Sequence, residues 1–159
     1  GKAAVSKAQT LLLKYTVDLF PGEEILLDHK QDLFYPNTHR KIELDVYLPK
    51  LKLGFEYQGE QHYQWHYLYG SPEKQKKRDE EKRKICEQEG ITLVEIPFWW
   101  DRSKETFAAT IRKFRPDITL GVDTSRVRPI SDIPPRTVSV KMSRVNQKIR
   151  LKKIEAWNQ

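Results

Sequence analysis

The chain has 159 residues, a net charge of +7 and a single cysteine. This length suits one domain of about 110 to 120 residues with an appendage, and a core of that size needs no disulfide or structural metal. One cysteine excludes an internal disulfide, and the longest apolar run, Leu11 to Leu13, is far too short for a membrane span or a signal peptide. We therefore expect a soluble, intracellular protein with no membrane partner, whose oligomeric state the sequence leaves open.

The N-terminal segment carries helix signals. Ser6 and Gln9 have the spacing of a capping box ahead of an apolar stripe, which predicts a helix over residues 7–19. Residues 24–28 are predicted to form a short strand, and residues 31–40 a loop.

Two stretches of alternating residues follow, from Ile42 to Leu48 and from Leu51 to Tyr57. They predict two half-buried strands that form a hairpin, with apolar side chains on one face and carboxylates on the other. Antiparallel pairing would set Asp45 opposite Glu56, with their Cβ atoms about 4.5 to 5.5 Å apart. Two carboxylates this close favour a shared proton or a cation, and Mg²⁺ or Mn²⁺ suits oxygen ligands. The alternative is that both side chains simply face solvent.

A loop rich in aromatic and imidazole groups comes next, and it contains His62, Tyr63, Trp65 and His66. The aromatic rings could stack on nucleic-acid bases or cover the hydrophobic core, and the sequence does not decide between them. His62 and His66 have helical zinc-ligand spacing, but no third or fourth ligand is evident. His62 is suited to proton transfer because it lies four residues beyond the hairpin.

A very polar helix is predicted between Pro72 and Gly90. Five of its residues share one face at helical spacing: Gln75, Arg78, Asp79, Lys82 and Cys86. The stripe belongs either to a solvated helix anchored at its last turn or to a helix that faces the carboxylates. In the second case Arg78 could hold a phosphate bidentately.

The rest of the domain is predicted to contain a buried strand over residues 91–96 and a helix from Ser103 to Phe114. Together these elements predict an α/β fold with a mixed sheet and helices outside it. Residues 119–159 are predicted to form a proline-containing linker and arm, with a strand expected at residues 138–140 and a basic helix at residues 146–157. Because phosphate neutralisation supplies much of nucleic-acid affinity, the arm is predicted to bind a polyanion, with a solubilising tail as the alternative. Its candidate contacts are Arg144, Lys148, Arg150, Lys152 and Lys153.

The ordered set of hairpin, histidine, basic helix and apolar strand resembles the PD-(D/E)xK nuclease superfamily, in particular its small members of the very-short-patch repair type. The resemblance rests on Asp45, on Glu56-Tyr57-Gln58, on Gly59-Glu60-Gln61-His62, on the helix stripe, and on the Gly90 to Leu93 strand. It covers residues 6 to 118, about three quarters of the chain.

This resemblance implies a restriction-endonuclease-like fold and Mg²⁺-dependent or Mn²⁺-dependent cleavage of DNA. It implies metal binding by Asp45 and Glu56, water orientation by Gln58, charge stabilisation by Lys82 and auxiliary acid or base chemistry by His62. Two departures stand against it, because Gln58 replaces the usual lysine and Gln9 replaces a first-helix acid. A catalytically inactive nucleic-acid-binding module is therefore the alternative function. RNA is a second candidate partner, through a single-strand binder that uses the aromatic loop.

Overall fold

The computed structural model describes residues 6–59 and 72–136, together with residues 144, 147–148, 151–152 and 154–158. The side chains of residues 72–75 lie outside the described part. So do the aromatic loop and the strand predicted at residues 138–140. Among the described helices, none is long and apolar enough to cross a membrane.

Three helices and four strands make up the ordered core of the described chain. They are α1 (Lys7–Leu19), β1 (Leu26–Phe34), β2 (Lys41–Leu48), β3 (Leu53–Gln58), α2 (Pro72–Gln88), β4 (Thr92–Pro97) and α3 (Lys104–Phe114). The sheet has the order β1-β2-β3-β4, in which β4 is parallel to β3 and the other neighbours are antiparallel. A parallel neighbour requires a crossover connection, and α2 lies within it. The predicted mixed α/β sheet is confirmed.

Helices cover both faces of this sheet. On one face α1 and α3 pack through Leu12, Phe107 and Ile111 against the buried residues Phe55 and Val94. On the other face, Ile85 and Cys86 in the last turns of α2 pack against residues of β2. The predicted position of the helices outside the sheet is therefore confirmed.

The predicted alternation of β2 is wrong, because the strand moves its apolar side chains from one face to the other near Asp45. Leu44 packs with Tyr47 in the core under α2, whereas Val46 belongs to the core under α1 and α3. A Cβ atom placed on Gly54 would lie 3.0 Å from Leu44 Cδ1 and 3.7 Å from Tyr47 Cδ1, so both side chains cover that glycine. The last residues of β2 are consequently buried on both faces.

A distorted residue in the neighbouring strand accompanies this change of face. In the β1–β2 register, Leu27 pairs with Val46 and His29 pairs with Leu44. Asp28, between the two pairs, has a φ of 45°, a conformation that is unusual for a residue with a side chain. In this register Asp28 lies opposite Asp45, so the distorted backbone is directly beside the change of face.

The predicted ends of the first helix are confirmed. Ser6 Oγ accepts the Gln9 N–H at 3.1 Å, and Gln9 Oε1 accepts the Ser6 N–H at 3.0 Å. Gln9 is therefore engaged in a capping box. The predicted loop over residues 31–40 is only partly correct, since β1 continues to Phe34 before the chain turns. Pairing with β2 across the sheet extends this strand beyond its local sequence signal.

The packed core extends beyond residue 118, where the predicted arm begins. Leu120 is buried in the core, and its carbonyl accepts a hydrogen bond from Arg112. Farther on, the Ile130 N–H donates to Thr110 Oγ1 at 2.9 Å, and the Trp99 indole donates to the Ser131 carbonyl at 2.7 Å. The first part of the predicted linker therefore lies against α3 and the end of β4.

Gly54 and Gly121 provide a matched pair of glycine positions for testing the packing of β2. We expect Gly54→Ala to lower the free energy of unfolding by about 1–3 kcal/mol, because the new methyl group would press on Leu44. Gly121→Ala should change it by less than about 0.5 kcal/mol, since nothing lies within 4 Å of a Cβ there. Urea denaturation monitored by tryptophan fluorescence measures both changes, and equal effects would contradict the packing described here.

Candidate functional site

A cavity of about 680 Å³ lies where β2 and β3 meet α2. The residues that line it come from β1, the turn after β1, β2, β3 and α2. They are Lys30, Tyr35, Arg40, Lys41, Glu43, Asp45, Glu56, Tyr57, Gln58, Arg78, Asp79 and Lys82. Five of the residues proposed from sequence, Asp45, Glu56, Gln58, Arg78 and Lys82, are thus brought together by the fold.

The β2–β3 hairpin positions the two carboxylates. Val46 pairs with Phe55 in an antiparallel register, so Asp45 and Glu56 occupy the next position along the two strands. Asp45 Oδ2 accepts the backbone N–H of Tyr57 at 3.0 Å, which holds this carboxylate against β3. The hairpin predicted from the alternating residues therefore places both acids at one end of the strand pair.

Lys82 reaches these carboxylates from α2. Its ammonium group forms an ion pair with Glu56 and also donates to the Glu43 carbonyl at 2.6 Å. Both side chains of the ion pair are only 13% exposed. Lys82 lies one turn before Cys86, which anchors the helix in the core, so the anchored face of α2 is the face that carries Lys82. Of the two interpretations of the helix stripe, the structure supports the one in which it faces the carboxylates.

Burial disfavours the charged form of both acids. It raises the pKa of Asp45 above its ordinary value, although the Tyr57 N–H and Lys82 oppose this shift. It also raises the pKa of Glu56 to about 7, against the stabilising effect of Lys82, and the nearby Asp45 and Glu95 carboxylates add to the rise. Two buried carboxylates therefore share one lysine, and a further cation beside them would favour their ionised forms.

Glu95 is a further carboxylate next to Glu56, and it was not predicted from the sequence. It pairs with Glu56 in the parallel β3–β4 register, accepts a hydrogen bond from Gln58 Nε2 at 3.2 Å, and forms an ion pair with Arg83. The amide of Gln58 is thus engaged by β4. The sequence signal for Glu95 was an acidic residue within an apolar strand. Its position next to Glu56, however, depends on the parallel register of β3 and β4.

Three basic residues on the cavity rim were also missed, and they lie near Arg78, which was proposed from the sequence. Lys30, Arg40 and Lys41 line the cavity from β1, the following turn and the start of β2, and Arg78 lies over the Tyr35 ring with its guanidinium carbon 5.0 Å from the ring centroid. We call these four basic residues the basic rim. The signal for it was the density of basic residues between positions 30 and 41, but their convergence depends on the pairing of β1 with β2.

Other proposed contacts are placed differently or lie outside the described residues. His62, Tyr63, Trp65, His66, Arg150 and Lys153, and the side chain of Gln75, belong to the part that is not described. Arg144, Lys148 and Lys152 are exposed, helical residues, and they are not among the residues that line the cavity.

The donor set of the cavity suits one kind of metal site and not another. Within the described ranges, no group of three or more His, Cys, Asp and Glu side chains is arranged to hold a metal ion. Structural zinc sites require four such ligands. Mg²⁺, by contrast, is commonly held by one or two carboxylates, with water and substrate phosphates completing its shell. Asp45 and Glu56 fit that smaller requirement.

The raised pKa of Glu56 predicts a specific dependence of stability on pH. The folded protein keeps a proton on Glu56 up to about pH 7, whereas the unfolded chain releases it near the ordinary value of 4.5. The free energy of unfolding should therefore fall as pH rises from about 4.5 to 7, by on the order of a few kcal/mol from this group.

Glu56→Gln cannot ionise and should lack this dependence. Urea denaturation of both proteins at several pH values between 5 and 8, with a chelator present, measures the difference in stability. We expect the free energy of unfolding of the variant to increase relative to that of the parent protein as pH rises to 7. A difference that is constant with pH would show that Glu56 has an ordinary pKa.

Three viral proteins are similar to part of this chain. Uncharacterized protein 307L of Invertebrate iridescent virus 6 is 42% identical over 66 residues, covering 39% of this chain and 34% of that protein. Uncharacterized protein 094L of Frog virus 3 (isolate Goorha) is 41% identical over 68 residues, covering 40% and 44%. Uncharacterized protein 033L of Invertebrate iridescent virus 3 is 36% identical over 67 residues, covering 40% and 34%. The chain thus spans less than half the length of each relative, and no protein-family model and no solved structure matches it.

Proposed function

We propose that this chain is a metal-dependent endonuclease that hydrolyses DNA phosphodiester bonds at the Asp45 and Glu56 carboxylates. The observation that carries the proposal is the convergence of these acids with Lys82 in one cavity bordered by the basic rim. A hairpin followed by a crossover helix and a parallel strand also supports a restriction-endonuclease-like fold of the PD-(D/E)xK type.

The carboxylate pair provides the place for Mg²⁺ or Mn²⁺. Both acids have raised pKa values, so a divalent cation at their oxygen atoms would relieve an unfavourable charge. Such a cation lowers the pKa of a water molecule and polarises a phosphate oxygen, which is the chemistry that phosphodiester hydrolysis needs.

The remaining cavity residues have distinct tasks in this proposal. Arg78 binds a phosphate oxygen with its guanidinium, which lies over the Tyr35 ring at the cavity wall. Gln58 orients water, and its position is fixed by the hydrogen bond to Glu95. Lys82 supplies the positive charge that the family motif carries at position 58, and it stabilises the charge that develops on the phosphate.

The basic rim suits a polyanionic substrate. Lys30, Arg40 and Arg78 are exposed residues of the cavity lining, whereas Asp45 and Glu56 are only partly exposed. A nucleic-acid backbone can therefore contact the rim with its phosphates while one phosphodiester approaches the acids.

A nucleic-acid-binding module without catalytic activity is the second candidate function. It is favoured by one observation, which is that the groups required for catalysis already have partners: Gln58 donates to Glu95, and Lys82 is paired with Glu56. Such a module would keep the basic rim and need no metal.

The nuclease proposal is tested by incubating supercoiled plasmid with the protein and millimolar Mg²⁺ or Mn²⁺. We expect nicked or linear product that a chelator abolishes and that Asp45→Asn fails to form. Asp18→Asn is a matched control, because Asp18 lies on α1 at the opposite face of the sheet, and it should cleave like the parent. Binding of DNA without cleavage under any of these conditions would favour the module instead.

The contribution of the basic rim is tested through the salt dependence of DNA binding. Lys30→Ala combined with Arg40→Ala should reduce the magnitude of the slope of log affinity against log salt by roughly 2, because two phosphate contacts are lost. Lys7→Ala combined with Lys14→Ala removes the same charge from exposed positions on α1 and should leave the slope nearly unchanged. Equal effects of the two pairs in fluorescence anisotropy titrations would mean that net charge alone governs binding.

A further inference from the structure

The Lys82 ammonium group has the surroundings of a bound cation. It is held by a carboxylate oxygen of Glu56 and by the Glu43 carbonyl oxygen, both from the sheet, and its side chain is 13% exposed. Asp45, the other proposed metal ligand, also acts electrostatically on both Glu56 and Lys82. The lysine therefore supplies part of the positive charge that a metal ion would supply.

We propose that Lys82 is a built-in counter-cation that occupies Glu56 in the metal-free protein and leaves it when a divalent cation binds. This inference rests on the proposed metal-dependent function. Glu56 Oε1 is already engaged by the ammonium group, so a metal ion competes with Lys82 for Glu56. Repulsion between the ammonium and a divalent charge at the same carboxylate also acts to separate them.

The structure allows this movement without a change of fold. The helix is fixed at its other end, where Cys86 is buried and the Ile91 N–H donates to the Cys86 carbonyl at 2.8 Å. A lysine side chain has four flexible carbon atoms, so its ammonium can move several ångströms while the backbone of α2 stays in place. Arg78 and Asp79, one turn earlier, line the same cavity, so the released ammonium remains beside the proposed phosphate position.

This arrangement couples two requirements of the proposed reaction. In the metal-free protein, Lys82 partly neutralises the buried Glu56 and is not available to a phosphate. After release, the same charge becomes available to the phosphate at the moment when the metal is present. Lys82 would then act as a switch between a neutralised resting site and a loaded one.

Chemical labelling of lysine measures the release directly. The full chain is treated briefly with a lysine-acetylating reagent, with and without saturating Mn²⁺, and the modified positions are quantified by mass spectrometry. We expect acetylation of Lys82 to increase several-fold on addition of Mn²⁺. Lys84, an exposed residue on the same helix, is the internal control and should be unchanged. In Asp45→Asn the increase at Lys82 should disappear.

Calorimetric titration of the same samples with Mn²⁺ separates the possible failures. If Mn²⁺ binds but labelling of Lys82 does not rise, the counter-cation inference is overturned and the metal site stands. If Mn²⁺ does not bind, the proposed function fails, and this inference fails with it.

A variant provides a second measurement. Lys82→Gln removes the ammonium that competes for Glu56 and should bind Mn²⁺ several-fold more tightly than the parent. Lys84→Gln removes the same charge from an exposed position and should change the affinity little. Weaker binding by Lys82→Gln would show that Lys82 supports the metal site and would overturn the proposal.

Discussion

The structure around the cavity depends on the burial of two carboxylates beneath a helix. Burial makes their ionisation unfavourable, as the raised pKa values of Asp45 and Glu56 indicate. A buried charge is strongly destabilising without a partner, so the face of α2 that covers the acids must carry a cation. Lys82 meets this requirement by pairing with Glu56 and donating to the Glu43 carbonyl.

The position of Lys82 is set by a small anchor at the end of a very polar helix. Among the described side chains of α2, those that contribute to the core are Ile85 and Cys86, and the chain then turns sharply at Gly90, whose φ is 72°. The Glu89 carbonyl accepts a hydrogen bond from Lys52 at 3.3 Å, which ties the end of the helix to the β2–β3 turn. Because the hairpin that carries the acids also holds the end of α2, the spacing from this anchor to Lys82 directs the ammonium to Glu56.

The sequence predicts those parts of the site that depend on local patterns. The hairpin follows from the alternation on either side of Pro49, and the helix stripe follows from the spacing of Arg78, Lys82 and Cys86. The change of face at Asp45 could not be predicted, because it lies beside the distorted backbone of Asp28 in another strand. Side chains that come together only through the pairing of distant strands were not predicted, for the same reason.

Glu95 and the basic rim illustrate this limit of local patterns. Glu95 comes next to Glu56 only through the parallel register, after a crossover through α2. Lys30 and Arg40 reach the cavity only because β1 extends along β2 as far as Phe34. A period of two identifies the two faces of a strand, but it does not identify the neighbouring strand or its register.

The central claim is that the Asp45 and Glu56 carboxylates hold a divalent cation in place of Lys82. It is tested most directly by a crystal structure of the protein with Mn²⁺, with anomalous diffraction recorded to locate the metal. We expect an anomalous peak within coordination distance of both carboxylates, with the Lys82 ammonium moved away from Glu56. A structure in which Lys82 remains on Glu56 at saturating Mn²⁺, with no peak beside Asp45, would contradict the account.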